Sequence, residues 1–175
     1  MDPDGGLESS LPQAPVAAEP DQAPDAAWAE NQPLEQAEQP VATGTIHHIE
    51  LWVPDLDRAI ASWGWLLDEL GYQPFGDWPG GCSWRAGSTY IVLEQSPDRT
   101  AGRHDRCRPG LNHLAFHVAD PAQIEKLVAV APSNGWRLMF ADRHPHAGGE
   151  GHYAAYLENA DGFEAELVAP PGSSR

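Results

Sequence analysis

The chain has 175 residues, with 26 acidic and 10 basic side chains and a formal net charge of −16. This acidic balance argues against a nucleic-acid partner, because a phosphate backbone is bound by basic surfaces. No apolar run approaches the roughly 18–20 residues that a membrane span needs, and the N-terminus lacks the basic and apolar regions of a secretory signal. Its two cysteines are too few for a disulfide framework. We therefore expect a cytoplasmic protein with no nucleic-acid or membrane partner.

The first 44 residues differ in composition from the rest. They carry nine acidic side chains and no Lys, Arg or His, and they are rich in Pro, Ala, Gln and Glu. A segment without a sustained apolar period cannot bury enough surface to offset the entropy of ordering. We predict a disordered acidic tail over 1–44, a folded domain over 45–169 and a flexible C-terminus over 170–175.

The folded part begins with a strand pattern that changes to a helical one. The segment "TIHHIELWV" alternates apolar and polar residues and predicts a half-buried strand. A helical period follows, with Asp55 as its predicted N-cap and Gly71 at its end. Three strand candidates come next, separated by Gly and Pro: "YQPFGDW", "CSWRAG" and "STYIVLEQS". Residues 45–97 are thus predicted to form one βαβββ module.

Residues 111–169 repeat this order of elements. A strand candidate, "NHLAFHV", precedes a predicted helix that follows Asp120, and "WRLMF", "HYAAYLE" and "FEAELVA" are further strand candidates. His48 precedes Asp55 by seven residues, and His113 precedes Asp120 by seven. The fold class is therefore predicted to be α+β, with two βαβββ modules in tandem.

Each module is predicted to place one histidine and one glutamate on the sheet face away from its helix. Because side chains alternate along a strand, His48 and Glu94 share that face in the first module. His113 and Glu166 share it in the second, together with His117, a candidate acid–base group. If the modules pair about a pseudo-twofold axis, two imidazoles and two carboxylates converge. Such a set suits a divalent metal such as Zn, Ni, Fe, Mn or Co.

Three segments resemble a known family. "HHIELWVPDLDRA", "GLNHLAFHV" and "NADGFEAEL" are similar to recurrent segments of the vicinal oxygen chelate superfamily, which includes glyoxalase I, bleomycin resistance proteins and extradiol dioxygenases. The resemblance covers about residues 45–169. It implies a cupped, eight-stranded mixed sheet around a metal, with these residues at the ligand positions: His48, Glu94, His113 and Glu166.

The resemblance also implies a function. We expect a divalent-metal-dependent enzyme of the glyoxalase or epimerase type, in which the metal polarises an oxygen of a small metabolite and stabilises an enolate-like charge. Glu94 or Glu166 would leave the metal to act as the base. Two alternatives stay open: an extradiol-type iron dioxygenase and a non-catalytic protein that sequesters a drug or metabolite. The partners are a small-molecule substrate and, in a homodimer, a second copy, because the modules can pair within one chain or between two.

Two loops carry further candidate groups. The loop that joins the modules, "SPDRTAGRHDRCRPG", concentrates arginines that could steer an anionic substrate in so acidic a chain. The loop over residues 143–152 places histidines among glycines and could act as a lid over the cup. His152 and Tyr90 are weaker acid–base candidates, and Trp52, Trp84 and Tyr90 are candidates for the wall of an aromatic pocket.

Overall fold

The structure is a computed structural model that describes residues 43–172. The predicted acidic tail lies outside the described residues except for its last two positions, as do the last three residues of the predicted flexible C-terminus. Among the residues described, none of the helices has the length and apolar character to cross a membrane.

The first module follows the predicted order of elements. Its elements are β1 (His48–Trp52), α1 (Leu56–Ala59), a π-helical turn (Ile60–Gly64), α2 (Trp65–Glu69), β2 (Gln73–Trp78), β3 (Gly81–Ala86) and β4 (Thr89–Glu94). Asp55 caps the helical stretch by accepting a hydrogen bond from the Arg58 backbone N–H at 2.9 Å. The stretch ends before Gly71, whose φ of +84° favours glycine. Both predicted ends of the helix are therefore confirmed.

The second module repeats the pattern. Its elements are β5 (Leu114–His117), α3 (Pro121–Val130), a 3₁₀ turn (Ala131–Asn134), β6 (Trp136–Leu138), β7 (Ala154–Asn159) and β8 (Glu164–Val168). Asp120 accepts a hydrogen bond from the Gln123 backbone N–H at 2.8 Å, and Pro121 begins the helix. The tandem βαβββ organisation and the α+β class are confirmed.

The eight strands form two four-stranded mixed sheets. The first sheet has the order β1-β4-β3-β2 and the second has the order β5-β8-β7-β6. In each sheet the first and last strands of the module pair in parallel, and the remaining pairs are antiparallel. No strand pairing joins the two sheets over residues 43–172, so β1 and β5 are both edge strands.

One apolar core lies on the helical side of both sheets. Trp63, in the π-helical turn, is fully buried and meets the Trp136 ring edge-on at 4.9 Å and the Phe163 ring at 6.1 Å. Trp136 also donates a hydrogen bond from Nε1 to the Ser62 carbonyl at 2.9 Å. The first module's helix thus packs on the helical side of the second sheet. The opposite faces of the two sheets, here called the outer faces, point away from this core.

Candidate functional site

The outer face of the second sheet brings together several of the chain's titratable side chains. In the strand register, Glu166 of β8 pairs with Ala115 of β5 and with Tyr156 of β7. His113 immediately precedes β5. These residues are therefore neighbours because three adjacent strands hold them, and the strands are fixed in turn by apolar side chains on the other face.

Glu166 lies beneath two imidazoles. One carboxylate oxygen, Oε1, is 2.6 Å from His152 Nε2, and the other, Oε2, is 3.1 Å from His113 Nε2. The glutamate side chain is 8% exposed, whereas the side chains of His113 and His152 are 33% and 39% exposed. A solute can therefore reach the imidazoles, and the carboxylate supports them from below.

The environment of Glu166 favours its ionised form. Burial alone would raise the pKa of Glu166, but the hydrogen bonds from Tyr156 and His152, together with the charges of His113 and His152, hold that pKa below its usual value. Burial, followed by the hydrogen bond to Glu166, raises the pKa of Tyr156 well above its usual range. At neutral pH Glu166 is thus a carboxylate and Tyr156 a protonated phenol, and the rings of His113 and His152 lie beside the carboxylate.

The loop between β6 and β7 carries His152 to this face. Glu125 of α3 holds that region, because its Oε1 accepts a hydrogen bond from the Tyr153 hydroxyl at 2.7 Å and lies 3.0 Å from His144 Nε2. Gly148 packs so tightly that a Cβ there would lie 2.6 Å from His152 Cδ2. The loop predicted to be a lid is therefore tied to α3 and rests on the titratable side chains.

The outer face of the first sheet carries a different set of contacts. His48 stacks on the Tyr90 ring at 4.9 Å, with the ring planes 8° apart. Trp52 is 44% exposed and donates a hydrogen bond from Nε1 to Glu50 at 2.6 Å. Burial, and then the charge of Glu50, raises the pKa of Glu94. This face is more open and more aromatic than that of the second sheet.

His48 and Glu94 lie on the same outer face but at different levels. His48 pairs with Tyr90, and Glu94 pairs with Trp52, four positions further along both strands. At about 3.3 Å per residue, this separates the two backbones by roughly 13 Å along the strand direction. Strand side chains stand roughly perpendicular to the sheet, and ligand bonds to a divalent metal are only about 2.0–2.3 Å long, so this register does not direct His48 and Glu94 to one ion.

The strand register identifies Val92 as the first-module counterpart of Glu166. Leu114 pairs with Ala165, so extending this register by one residue places His113 opposite Glu164. Glu166 therefore lies two residues further along β8 than the partner of His113. In the first module Tyr90 lies opposite His48, so the matching position is Val92. Val92 is apolar and buried. On the last strand of each module, the repeat therefore has a carboxylate at this level in the second module only, whereas Glu50 of β1 lies opposite Val92 in the first.

The four predicted ligands do not fit a divalent metal within one chain. Among residues 43–172, no three or more His, Cys, Asp or Glu side chains are arranged so that they could hold a metal ion. His113 and Glu166 are in contact, whereas His48 and Glu94 lie on the outer face of the other sheet. Both oxygens of Glu166 are directed at imidazoles.

The predicted acid–base residue His117 and the predicted pocket residue Trp84 both lie away from Glu166. His117 is exposed at the end of β5, opposite Val168 and beyond the level of Glu166. Trp84 faces the helix: its ring packs on Gly64, and its Nε1 donates to Asp68 Oδ1 at 3.0 Å. Trp84 therefore belongs to the core and does not line a pocket on the outer face.

Comparison with known proteins identifies the family. A family model described as the Glyoxalase/Bleomycin resistance protein/Dioxygenase superfamily matches residues 47–156. The chain belongs to this superfamily, the vicinal oxygen chelate proteins. An uncharacterized protein of Bacillus subtilis, YqjT, is 44% identical over 126 residues, which cover 71% of this chain and 98% of that protein.

Solved structures show the same fold. A crystal structure of a "putative glyoxalase" from Bacillus halodurans has 42% sequence identity and a TM-score of 0.69, over 73% of this chain and 97% of that chain. A lactoylglutathione lyase from Agrobacterium tumefaciens, at 19% identity, matches with a TM-score of 0.51 over 75% of this chain and 96% of that chain. The second likeness concerns the fold alone.

Proposed function

We propose that this chain is a vicinal oxygen chelate enzyme that moves a proton on a small oxygenated substrate bound over the outer face of the second sheet. The observation that carries the proposal is the buried carboxylate of Glu166, whose pKa is lowered and which contacts two accessible imidazoles. Structural residues seldom combine burial, a charge and solvent-accessible bases in this way, and such combinations are typical of catalytic sites.

His152 is the proposed base. Its Nε2 lies 2.6 Å from Glu166, and an N–H at Nε2 that donates to this carboxylate leaves the Nδ1 lone pair for a substrate proton. Glu166 then stabilises the imidazolium that forms, as a buried carboxylate does for a catalytic imidazole elsewhere. The substrate proton moves to Nδ1, and the electron pair of its C–H bond becomes the enolate of the neighbouring carbonyl.

His113 is proposed to position the carboxylate. Its Nδ1 lies 2.7 Å from Asn112 Oδ1 and its Nε2 lies 3.1 Å from Glu166 Oε2, so both ring nitrogens are engaged. The ring is thereby fixed, and it holds one oxygen of Glu166 while the other oxygen is left for His152. The proposed proton transfer uses only the chain's own side chains.

A homodimer would change the set of groups near Glu166. The edge strands β1 and β5 each have one side without a neighbouring strand in the described residues, and the exposed Trp52 lies on β1. We propose that β1 of one copy lies beside β5 of a second copy, which would cover Trp52 and bring His48 of one copy to His113 and Glu166 of the other.

The position of Val92 makes iron dioxygenase chemistry the second candidate function. With Val92 at the level of the fourth ligand, the remaining groups are two histidines and one carboxylate, a set that non-haem iron oxygenases use. Elemental analysis of the full chain tests this candidate. Iron content that rises with the fraction of dimer and is lost in His48→Ala would support the dioxygenase. Iron content that His48→Ala leaves unchanged would argue against the dioxygenase.

The experiment that tests the leading proposal is solvent-deuterium exchange followed by ¹H NMR. The probes are the hemithioacetal of methylglyoxal and glutathione, which represents the lactoylglutathione lyase reaction, and simple α-hydroxyketones. We expect the wild type to exchange the proton on the oxygenated carbon. Removal of a general base typically costs about 10²- to 10⁴-fold, so His152→Gln and Glu166→Gln should lose at least about 100-fold.

A matched control is available on the same face. Glu158→Gln removes a carboxylate that pairs with Arg137, and it should leave the exchange rate within about twofold of wild type, since this carboxylate does not touch His152. Equal losses in Glu158→Gln and Glu166→Gln would contradict the proposal. Saturable binding of these probes without any exchange would instead favour the sequestering alternative.

A further inference from the structure

A strained turn places an aromatic ring beside the proposed site. Phe140 has a φ of +52°, a conformation that is a marked outlier for a bulky side chain and that persists only where the surroundings impose it. The turn is closed by hydrogen bonds from the backbone N–H groups of Arg143 and His144 to the Phe140 carbonyl at 2.8 and 2.9 Å. The Phe140 ring meets the Tyr156 ring at 5.7 Å, and Tyr156 hydrogen-bonds Glu166.

Two guanidinium groups lie near the Phe140 ring, and they differ in their ion pairs. Arg106 is 5.8 Å from the ring centroid and is paired with the buried Glu164 at 2.9 Å. Arg143 is 4.7 Å from the same centroid, and it forms no ion pair with a carboxylate of residues 43–172. The charge of Arg106 is thus neutralised by Glu164, whereas Arg143 has no carboxylate partner among residues 43–172.

The ring holds Arg143 in a geometry suited to recognition. A guanidinium stacked on an aromatic face keeps its N–H groups at the edge free for the two parallel hydrogen bonds that a carboxylate or phosphate accepts. Because Phe140 separates Arg143 from Tyr156, the guanidinium lies within roughly 10 Å of the phenol. A small metabolite spans such a distance.

Arg143 is a positive group in a chain whose other charged side chains are mostly acidic. From residue 45 onward there are 17 acidic side chains and 10 basic ones, so the field of the folded part as a whole repels an anion. An arginine that has no ion pair within residues 43–172 and lies beside the site can therefore select an anionic ligand over a neutral one.

We propose that Arg143 binds the carboxylate or phosphate group of the substrate while the oxygenated carbon of that substrate lies at His152. The substrate class is accordingly a small hydroxy or oxo compound that carries an anionic group. The location of the reacting carbon rests on the proposed function, whereas the anion site rests on Arg143 and Phe140 alone.

Titration of the full chain with inorganic phosphate and, separately, with acetate tests the anion site, with the backbone amide and arginine Nε–H resonances followed by ¹H–¹⁵N NMR so that the same amide signals give the Kd in every variant. We expect phosphate to shift the Arg143 resonance, and Arg143→Gln to raise the Kd at least tenfold. Arg143→Lys should keep part of the affinity, because it retains the charge and loses the paired hydrogen bonds. The anion with the lower Kd identifies which of the two groups the substrate carries.

The matched control is Arg85→Gln in the first module. The Arg85 guanidinium lies 5.0 Å from the Phe75 ring, so the variant removes the same kind of stacked cation from the other sheet. An unchanged Kd in Arg85→Gln supports the proposal. An unchanged Kd in Arg143→Gln, or equal weakening in both variants, would overturn it, because anion binding would then depend on overall charge.

A separate variant distinguishes this proposal from the proposed function. Glu166→Gln removes the carboxylate of the site and should keep or improve phosphate binding, since it removes a nearby negative charge. Phosphate binding that depends on Arg143, in a chain that exchanges none of the probes, would leave the anion site standing and contradict the proton-transfer chemistry. Exchange activity without a phosphate shift at Arg143 would support the proton-transfer chemistry and contradict the anion site.

Discussion

Gly148→Ala should damage the site without altering its titratable groups. A Cβ at position 148 would lie 2.6 Å from His152 Cδ2 and 2.6 Å from the Tyr156 hydroxyl oxygen, whereas ordinary contacts begin near 3.4 Å. The backbone at Gly148 has no positive φ, so alanine is not excluded by conformation. The neighbouring side chains must therefore retreat by about 0.8 Å for alanine to fit beside them.

The size of the effect follows from the hydrogen bonds at Glu166. If His152 retreats directly away from Glu166, its 2.6 Å contact with that carboxylate lengthens to as much as roughly 3.4 Å, beyond a normal hydrogen bond. A hydrogen bond to a charged group contributes about 1.5–3 kcal/mol. We therefore expect a loss of about 10- to 100-fold in deuterium exchange. The assay combines the exchange rate with urea unfolding, so that a loss of stability is measured separately.

The neighbouring glycine provides the control. Gly149 has a φ of +123° and open space where a Cβ would lie, so Gly149→Ala introduces backbone strain of about 1–3 kcal/mol without contacting His152. We expect it to lower stability and to keep an exchange rate within about twofold of wild type. Full activity in Gly148→Ala, with His152 and Tyr156 resonances unmoved, would refute the role given to this packing.

Three further predictions concern the core, the contact between the modules and the pH dependence of stability. Trp63→Ala should lower the free energy of unfolding by about 3–5 kcal/mol in urea, because Trp63 is fully buried between the modules; a loss below about 1 kcal/mol would contradict the shared core. Arg58 pairs with Asp161, whose side chain is 3% exposed, and with Asp55, whose side chain is 47% exposed. The decrease in the urea unfolding midpoint should therefore be several-fold larger for Asp161→Asn than for Asp55→Asn. Equal decreases would be inconsistent with burial as the cause. Burial raises the pKa of Glu94 from 4.5, so its ionisation lowers stability as pH rises from that value through the folded-state pKa. Unfolding measured from pH 4 to 7 should therefore show a smaller decline in Glu94→Gln, and an identical pH profile would contradict the raised pKa.

Much of the fold was predictable because its signals are local. Alternation in "TIHHIELWV" and "NHLAFHV" depends on neighbouring residues alone, and so do the N-caps at Asp55 and Asp120. The same alternation assigned Glu166 and His113 to one face, and the direct parallel pairing of β5 with β8 then makes them neighbours.

The level of a side chain along a strand was harder to predict than its face. Glu94 lies on the predicted face, but β1 and β4 are separated in the chain by two strands and a bulge between Pro74 and Gly76. The register therefore depends on non-local packing, which gives Val92 the level expected for Glu94. Alternation in "HYAAYLE" could have identified Tyr156 as a neighbour of Glu166, because it places the tyrosine on the same face.

The place of His152 depends on contacts that the sequence does not specify locally. The loop that carries it is long, and its course is set by Glu125 of α3, which contacts Tyr153 and His144. Such side-chain contacts between distant segments have no periodic signature. His152 was therefore only a weaker candidate from the sequence. In the structure it is closer to Glu166, at 2.6 Å, than His113 is, at 3.1 Å.

The pKa of Glu166 shows whether this side chain is an ionised carboxylate held by His152 and His113. Carboxyl ¹³C NMR of the full chain, titrated from pH 2 to 8, measures this pKa in the wild type and in His152→Gln. We expect a wild-type pKa below the usual 4.5 and a higher value in His152→Gln, because a hydrogen bond and a charge are lost. A wild-type pKa at or above 4.5, unchanged by His152→Gln, would show that the two histidines do not stabilise an ionised Glu166.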